Sequence, residues 1–312
     1  MSIEEELARV APDKDMLLTI GVFDGVHLGH QYLISQLVAQ ARQQNLLSGV
    51  ITFRHHPQEV LHPQTKLPFL TDLIERSDLL SNEGVKVIIP LTFTAESARL
   101  SAREFLSLLK RYLRLRGLVI GPDFALGRNR EGKADALRAL GQEMDFSVSV
   151  VPAVIKDGEV VSSTTIRQAL ANGDMKRVRS LAGRPFNLHG RVVTGAGRGV
   201  ALGFPTANLD IASEQALPAD GVYASWAYID GRAYQSMTNI GQNPTFGDRK
   251  RAVEVYVVDY HDDLYGRELE IDIMERLRDE KKFSTVAGLK KQMAEDVKHG
   301  KAILNSEGGN QL

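Results

Sequence analysis

The chain has 312 residues, 43% of them hydrophobic and 25% charged, an ordinary globular composition with room for two domains. A net charge of −1 supplies no bulk attraction for nucleic acid or an anionic membrane, and the lack of cysteine excludes disulfides, thiolate metal sites and a cysteine nucleophile. No apolar run reaches the roughly 18 residues that would suggest a membrane span, and the acidic start Met1-Ser2-Ile3-Glu4-Glu5-Glu6 lacks the layout of a signal peptide, so a cytoplasmic setting without nucleic-acid or membrane partners is expected.

From residue 16 to about 155, short apolar runs alternate with helical patterns. The runs are Met16–Phe23, Ser48–Phe53, Lys86–Leu91, Leu118–Gly121 and Ser147–Val154, and the helical patterns cover 31–44, 72–83, 101–115 and 132–143. This alternation predicts a doubly wound, mostly parallel sheet whose ligands bind at the carboxyl ends of its strands. Helices at 164–171 and 174–182 lead to a boundary around 183–186, dividing the chain into 1–183 and 184–312.

Beyond the boundary the spacing shortens. Strand-like runs at 187–194, 221–229, 233–240, 252–260 and 269–276 are separated by breaks such as Asp230-Gly231-Arg232 and Tyr265-Gly266-Arg267. This predicts an antiparallel β-barrel. A terminal helix over 284–301 follows, with Ser284 as N-cap and Val286, Leu289, Met293 and Val297 as its buried face; Ser306–Leu312 reads as a frayed tail.

The first chemistry-bearing stretch is Gly21-Val22-Phe23-Asp24-Gly25-Val26-His27-Leu28-Gly29-His30. Strand, glycine-rich turn and helix in succession aim backbone N–H groups at a phosphate, and His27 and His30 add two donors. Charge that builds on an α-phosphate and on leaving pyrophosphate needs such fixed donors. The plain alternative is a satisfied loop. In the second stretch, Val161-Ser162-Ser163-Thr164-Thr165-Ile166-Arg167, Ser163 or Thr164 can cap a helix and Arg167 offers a planar fork for phosphate oxygens; the plain alternative is an ordinary cap with a solvated arginine.

In the second half, the phrase running from Gly195 to Asn208 supplies glycines for a tight loop, with Thr206 and Asn208 as oxygen donors suited to Mg²⁺. It can also be a long turn. Glu254 interrupts an apolar strand, Ala252–Val258, and either faces solvent or points into a site.

These phrases resemble a known family. H-x-G-H after the first strand and S-S-T-x-I-R near the domain end are similar to the nucleotidyltransferase superfamily. G-V-F-D-G-V-H-L-G-H, with Val119–Phe124 and Leu170–Asp174, resembles the FAD synthetase module of bacterial bifunctional riboflavin kinase/FAD synthetases. L-G-F-P-T-A-N, G-V-Y-A, N-I-G-x-N-P-T-F, V-E-V and L-Y-G follow the order of the riboflavin kinase module, so the similarity covers roughly 16–300.

The resemblance implies a Rossmann-like nucleotidyltransferase domain at 1–183 and a riboflavin kinase barrel at 184–312. It implies catalysis through His27, His30, Arg167 and Glu254, the last as base on the riboflavin 5′-hydroxyl. It implies ATP binding by Gly21, Phe23, Asp24, Ser163 and Thr164 in one half and by Gly197, Gly203 and Thr206 in the other. Asp123, Phe124 and Arg278 would contact flavin, and Thr206 and Asn208 would hold Mg²⁺. ATP is the co-substrate and FMN and FAD are the products, in a monomer or weak homo-oligomer.

The chain departs from the pattern at Thr165, where arginine is usual, at Phe53-Arg54-His55-His56-Pro57, where F-D-P-H-P is usual, and at Leu126, near which an aromatic is usual. His55 reads as a loop residue. The departures keep open an enzyme with only an efficient kinase, and a flavin-binding regulator without catalysis is the reading from another class.

Overall fold

Ser2 and Glu5 form a reciprocal capping box, each side chain accepting from the other's backbone N–H, and so start a short helix, α1 (Ile3–Ala8), in the acidic opening. Periodicity did not reveal this helix because it is too short to repeat. Leu7 is fully buried, and the Glu6 carboxylate accepts from the N–H and hydroxyl of Thr92. The computed structural model describes residues 2–195, 199, 203–242 and 251–308. Their contacts divide into two units, Met1–Ser163 and Thr164–Leu312.

The first unit continues with β1 (Met16–Ile20), α2 (Leu28–Gln43), β2 (Leu47–Phe53), α3 (Pro57–Leu61), α4 (Leu73–Asn82), β3 (Val87–Leu91), α5 (Ala102–Leu113), β4 (Leu115–Ile120), α6 (Ala134–Met144) and β5 (Ser147–Val150). A small hairpin, β6 (Ile155–Lys156) and β7 (Glu159–Val160), precedes the next helix. Strands β1 to β5 form one parallel sheet in the order β3-β2-β1-β4-β5. Met16, Leu18 and Ile20 feed a core shared with Leu106, Leu109 and Leu137, while Leu17 points to the other face with Ile34, Leu37 and Leu80. A strand buried on both faces is what a doubly wound sheet requires of its centre. The chain turns from one side of the sheet to the other where β1 meets β4, so the expected switch point lies at the carboxyl end of β1.

The second unit contains α7 (Ser163–Ala171) after its first residue, α8 (Met175–Ala182), β8 (Phe186–Val193), β9 (Ala207–Asp210), β10 (Gly221–Ile229), β11 (Arg232–Gln242), β12 (Arg251–Val257), β13 (Glu268–Arg278) and a C-terminal helix, α9 (Val286–Gly308). The contact boundary precedes the 183–186 boundary read from periodicity. The reason is that α8 buries Met175, Val178 and Leu181 and packs on β8 and β13. The strands close into a barrel in the order β10-β11-β12-β9-β8-β13. Strand β9 lies outside the expected strands; its apolar–polar alternation, Ala207 to Asp210, is only four residues long and starts at the end of a glycine-rich phrase.

Helix α9 corrects three expectations. Its first turn is capped by the Thr285 hydroxyl, which accepts from Gly288 N–H, rather than by Ser284. Val286 is 70% exposed, whereas Val297 of the expected face packs partly buried against the core and Asp296, Gly300 and Leu304 are buried. The helix also continues through Ser306 to Gly308 rather than fraying there. Gly300 is what admits the barrel: a Cβ there would overlap the Met237 sulfur.

Candidate active sites

The turn after β1 is held by a buried lattice of hydrogen bonds. Asp24, 2% exposed, accepts from Leu70 N–H at 2.8 Å and Thr71 N–H at 3.2 Å through one carboxylate oxygen. Thr71 Oγ1 accepts from Gly25 N–H at 3.0 Å, and Thr52 Oγ1 donates to the Val22 carbonyl at 2.9 Å. This support matters because Phe23 and Val26 have φ of +53° and +32°, strained for side chains of their size. Gly25, at +78°, has room only for hydrogen, since a Cβ would meet Leu70 at 2.9 Å.

The two histidines are brought together. His27 is the N-cap of α2 and its Nδ1 accepts from His30 N–H at 3.3 Å. An accepting Nδ1 leaves the proton of a neutral ring on Nε2, as a donor toward a ligand. The imidazoles of His27 and His30 stack at 3.7 Å and 17°, and Phe23 meets His30 edge-on at 5.1 Å. Gly29 lets the chain pass, because a Cβ would lie 3.1 Å from His27 Cε1 and 3.2 Å from the Val161 carbonyl. Gly21 begins the turn, its N–H bonded to the Ile51 carbonyl.

Ser163 is the first residue inside α7, not its cap, and its hydroxyl donates to the Asp24 carbonyl at 2.9 Å. Thr164 and Arg167 follow on α7. Asp123 and Phe124 lie just beyond β4, the neighbour of β1, on the carboxyl edge; the Asp123 carbonyl accepts from Arg130 and Phe124 is partly buried against the core. A wide cleft of about 520 Å³ at the opposite, amino-terminal edge is lined by Gln44, Arg116 and Asp145 and holds none of these residues.

In the barrel, Asn208 of β9 stands opposite Glu254 of β12, and Glu254 in turn stands opposite Asn239 of β11. Val253 and Val255 are buried in the barrel core, so alternation puts Glu254 on the outer face, half-buried. Asn239 belongs to the N-I-G-x-N-P-T-F phrase, and the pairing register places it beside Glu254. Thr206, just before β9, opens onto a cavity of about 210 Å³ with Tyr260 and the 261–265 loop. A Cβ on Gly195 would collide with the Asn208 amide, and one on Gly199 would lie 3.2 Å from Thr206 Oγ1. These glycine positions therefore cradle both expected metal-binding side chains. Gly203 has φ of +82°; Gly197 lies outside the described residues.

Arg278 is engaged elsewhere than in an open site. Its guanidinium donates to both carboxylate oxygens of Asp296 on α9 at 2.8–3.0 Å, and lies over the Phe283 ring at 5.9 Å. Gln292 supports the same carboxylate.

Residues 10–165 match the family model for FAD synthetase, and residues 182–304 match that for riboflavin kinase. The chain is 36% identical over 288 residues to the bifunctional riboflavin kinase/FMN adenylyltransferase of Escherichia coli (strain K12), covering 92% of each. The chain belongs to the bifunctional riboflavin kinase/FMN adenylyltransferase family. The homologue from Listeria monocytogenes (strain EGD-e) is 34% identical over 294 residues, 94% of this chain and 93% of its own. A crystal structure named a macrolide-efflux protein, from Streptococcus pneumoniae, superposes with a TM-score of 0.88 at 32% identity, covering 95% and 96%. That name describes transport, but among the described residues here no helix is long and apolar enough to cross a membrane. As a member of the riboflavin kinase/FMN adenylyltransferase family, the chain phosphorylates riboflavin with ATP to FMN and adenylylates FMN with a second ATP to FAD.

Proposed function

We propose that the kinase reaction runs on the Asn208–Glu254 pair and adenylyl transfer on the His27–His30 turn. Glu254 takes the proton of the riboflavin 5′-hydroxyl; the oxygen attacks the γ-phosphorus of ATP and ADP leaves. Its place opposite Asn208 supports this, since base and phosphate-side donor then share one face of the barrel. Thr206 and Asn208 supply neutral oxygens of the type Mg²⁺ prefers, in the cradle left by Gly195 and Gly199. Mg²⁺ held by these two side chains would neutralise phosphate charge there. Gly203 and Thr206 line the ATP side, and Arg278, through its bond to Asp296, orders the flavin side by fixing α9.

In the other reaction a phosphate oxygen of FMN attacks the α-phosphorus of ATP and pyrophosphate leaves. His27 and His30 donate to the phosphates from a rigid turn; Gly21, Phe23, Asp24, Ser163 and Thr164 shape the ATP site, Arg167 adds its fork, and Asp123 and Phe124 face flavin. The stacked imidazoles at the carboxyl end of the central strand are the observation that carries this reading. The functional modules run 1–183 and 184–312, in a cytoplasmic monomer or weak homo-oligomer that takes small molecules rather than nucleic acid or membrane.

The test is one incubation of the purified chain with riboflavin, ATP and Mg²⁺, with flavins separated over time. FMN rising and then giving way to FAD is expected. FMN accumulating alone would assign the departures at Arg54, Leu126 and Thr165 a disabling effect, and loss of neither activity on chelation would remove Mg²⁺ from the account.

A further inference from the structure

Arg76, on the first turns of α4, is the largest fully buried side chain among the described residues. Neither reaction as described above uses it. One of its terminal nitrogens, Nη1, donates to the Val22 carbonyl at 2.9 Å, to Thr52 Oγ1 at 3.1 Å and to the Phe53 carbonyl at 3.0 Å. The other, Nη2, reaches the Thr71 carbonyl at 3.5 Å, and the guanidinium lies over the Phe69 ring at 4.6 Å.

Those partners belong to three separate pieces of chain. Val22 is in the histidine turn, Thr52 and Phe53 end β2, and Phe69 and Thr71 precede α4. The same three pieces are cross-linked by Asp24 to Leu70 and Thr71, and by Thr52 to Val22. A guanidinium with no exposed surface is costly to bury, and an apolar side chain of similar volume is often the more stabilising choice. The desolvation pulls the Arg76 pKa down, opposed by the Asp24 charge. What Arg76 supplies that an apolar residue cannot is a rigid planar link from the strained turn to the end of the adjacent strand.

We propose that Arg76 is a positioning residue for adenylyl transfer: it fixes the His27–His30 turn against the end of β2 and the 69–71 segment, so that phosphate donors and the attacking substrate meet in line. Small displacements of such donors cost rate more than binding.

The experiment uses the full chain with Arg76→Met, which keeps an unbranched apolar stem but removes donors and charge, and with Arg76→Lys. FMN-to-FAD kcat and KM for ATP are measured below the melting transition, with riboflavin phosphorylation assayed on the same preparation. Expected for Arg76→Met is a kcat loss of roughly 10- to 100-fold, as for misplaced catalytic groups, with KM for ATP changed by less than about threefold and FMN formation unchanged. Arg76→Lys recovers part of the lost kcat. A purely structural arginine would lower the melting temperature yet leave kcat intact in the folded protein, and that result overturns the proposal. If Arg76→Met does not fold, Thr52→Val decides, because it removes the hydroxyl that accepts from Arg76 and donates to the Val22 carbonyl. A kcat loss without a change in KM sustains the proposal, and unchanged kcat overturns it.

Discussion

Asn208 and Glu254 face each other across the β9–β12 ladder, with Asn239 on the far side of Glu254 in the same row. Directly opposed residues of an antiparallel pair carry their Cβ atoms about 4.5–5.5 Å apart. A carboxylate and an amide are therefore kept together on the outer face by backbone pairing alone. Glu254→Gln preserves shape and removes the base. FMN formation should fall by about 10²-fold or more, while FMN-to-FAD conversion on added FMN stays near normal. Undiminished kinase turnover would remove Glu254 from the role.

The His27–His30 stack predicts the reverse split. His30→Ala should lower FAD synthesis by roughly 10²-fold, the usual effect of deleting a fixed donor to developing charge, and leave FMN formation alone. The check is the same time course run from riboflavin: FMN should accumulate.

Gly29 permits that stack by having no side chain. Gly29→Ala pushes a methyl against His27 and the Val161 carbonyl. The expected destabilisation is about 1–3 kcal/mol, as for overpacking elsewhere, with a loss of adenylyl transfer larger than the shift in melting temperature explains. Normal FAD synthesis in this variant would show that the imidazole spacing is not critical.

Arg278 and Asp296 join β13 to α9 in a largely buried, bidentate pair. Removing one partner strands the other charge, which typically costs about 3–5 kcal/mol. Asp296→Ala should release α9 from the barrel, raise hydrogen exchange at Met237 and Ala224, which lie beneath it, and impair the kinase. Equal melting behaviour of this variant and the parent would count against the clamp.

Asp15 gives a pH prediction. Hydrogen bonds from Arg116 and then Arg114 hold its carboxyl below the usual carboxylate range. Because the folded-state value is lower than the unfolded value of about 3.9, the stabilisation is present above that pH and is lost as pH falls through the folded value. Asp15→Asn should therefore melt lower than the parent at pH 7, with the gap closing below about pH 4. A gap that persists unchanged at pH 2–3 would rule out the charge as its cause.

The doubly wound sheet was legible because apolar-rich segments alternate with helical patterns, and the barrel because polar breaks recur between closely spaced strands. Both histidines were legible for a chemical reason: their types and spacing are unusual in a turn. Arg76 was not, since an arginine in the helical pattern 72–83 reads as a solvated residue until three chain segments converge on it. Strand β9 escaped because its alternation, Ala207 to Asp210, is only four residues long and follows directly on a glycine-rich phrase. The buried face of α9 was misplaced toward Val286 because periodicity fixes the angle of a stripe but not where along the helix the barrel begins. Arg278 engages Asp296, a partner eighteen positions further along that no local pattern identifies.

The barrel's ring of hydrogen bonds passes through β9, a strand of only four residues, one of which is Asn208. The narrowest link in the wall is thus also the segment proposed to hold phosphate. On the proposed site, substrate held by Asn208 and Thr206 would tighten this seam. Nucleotide should accordingly slow amide exchange in β8 and β12, the strands on either side, more than in β10, which lies across the ring.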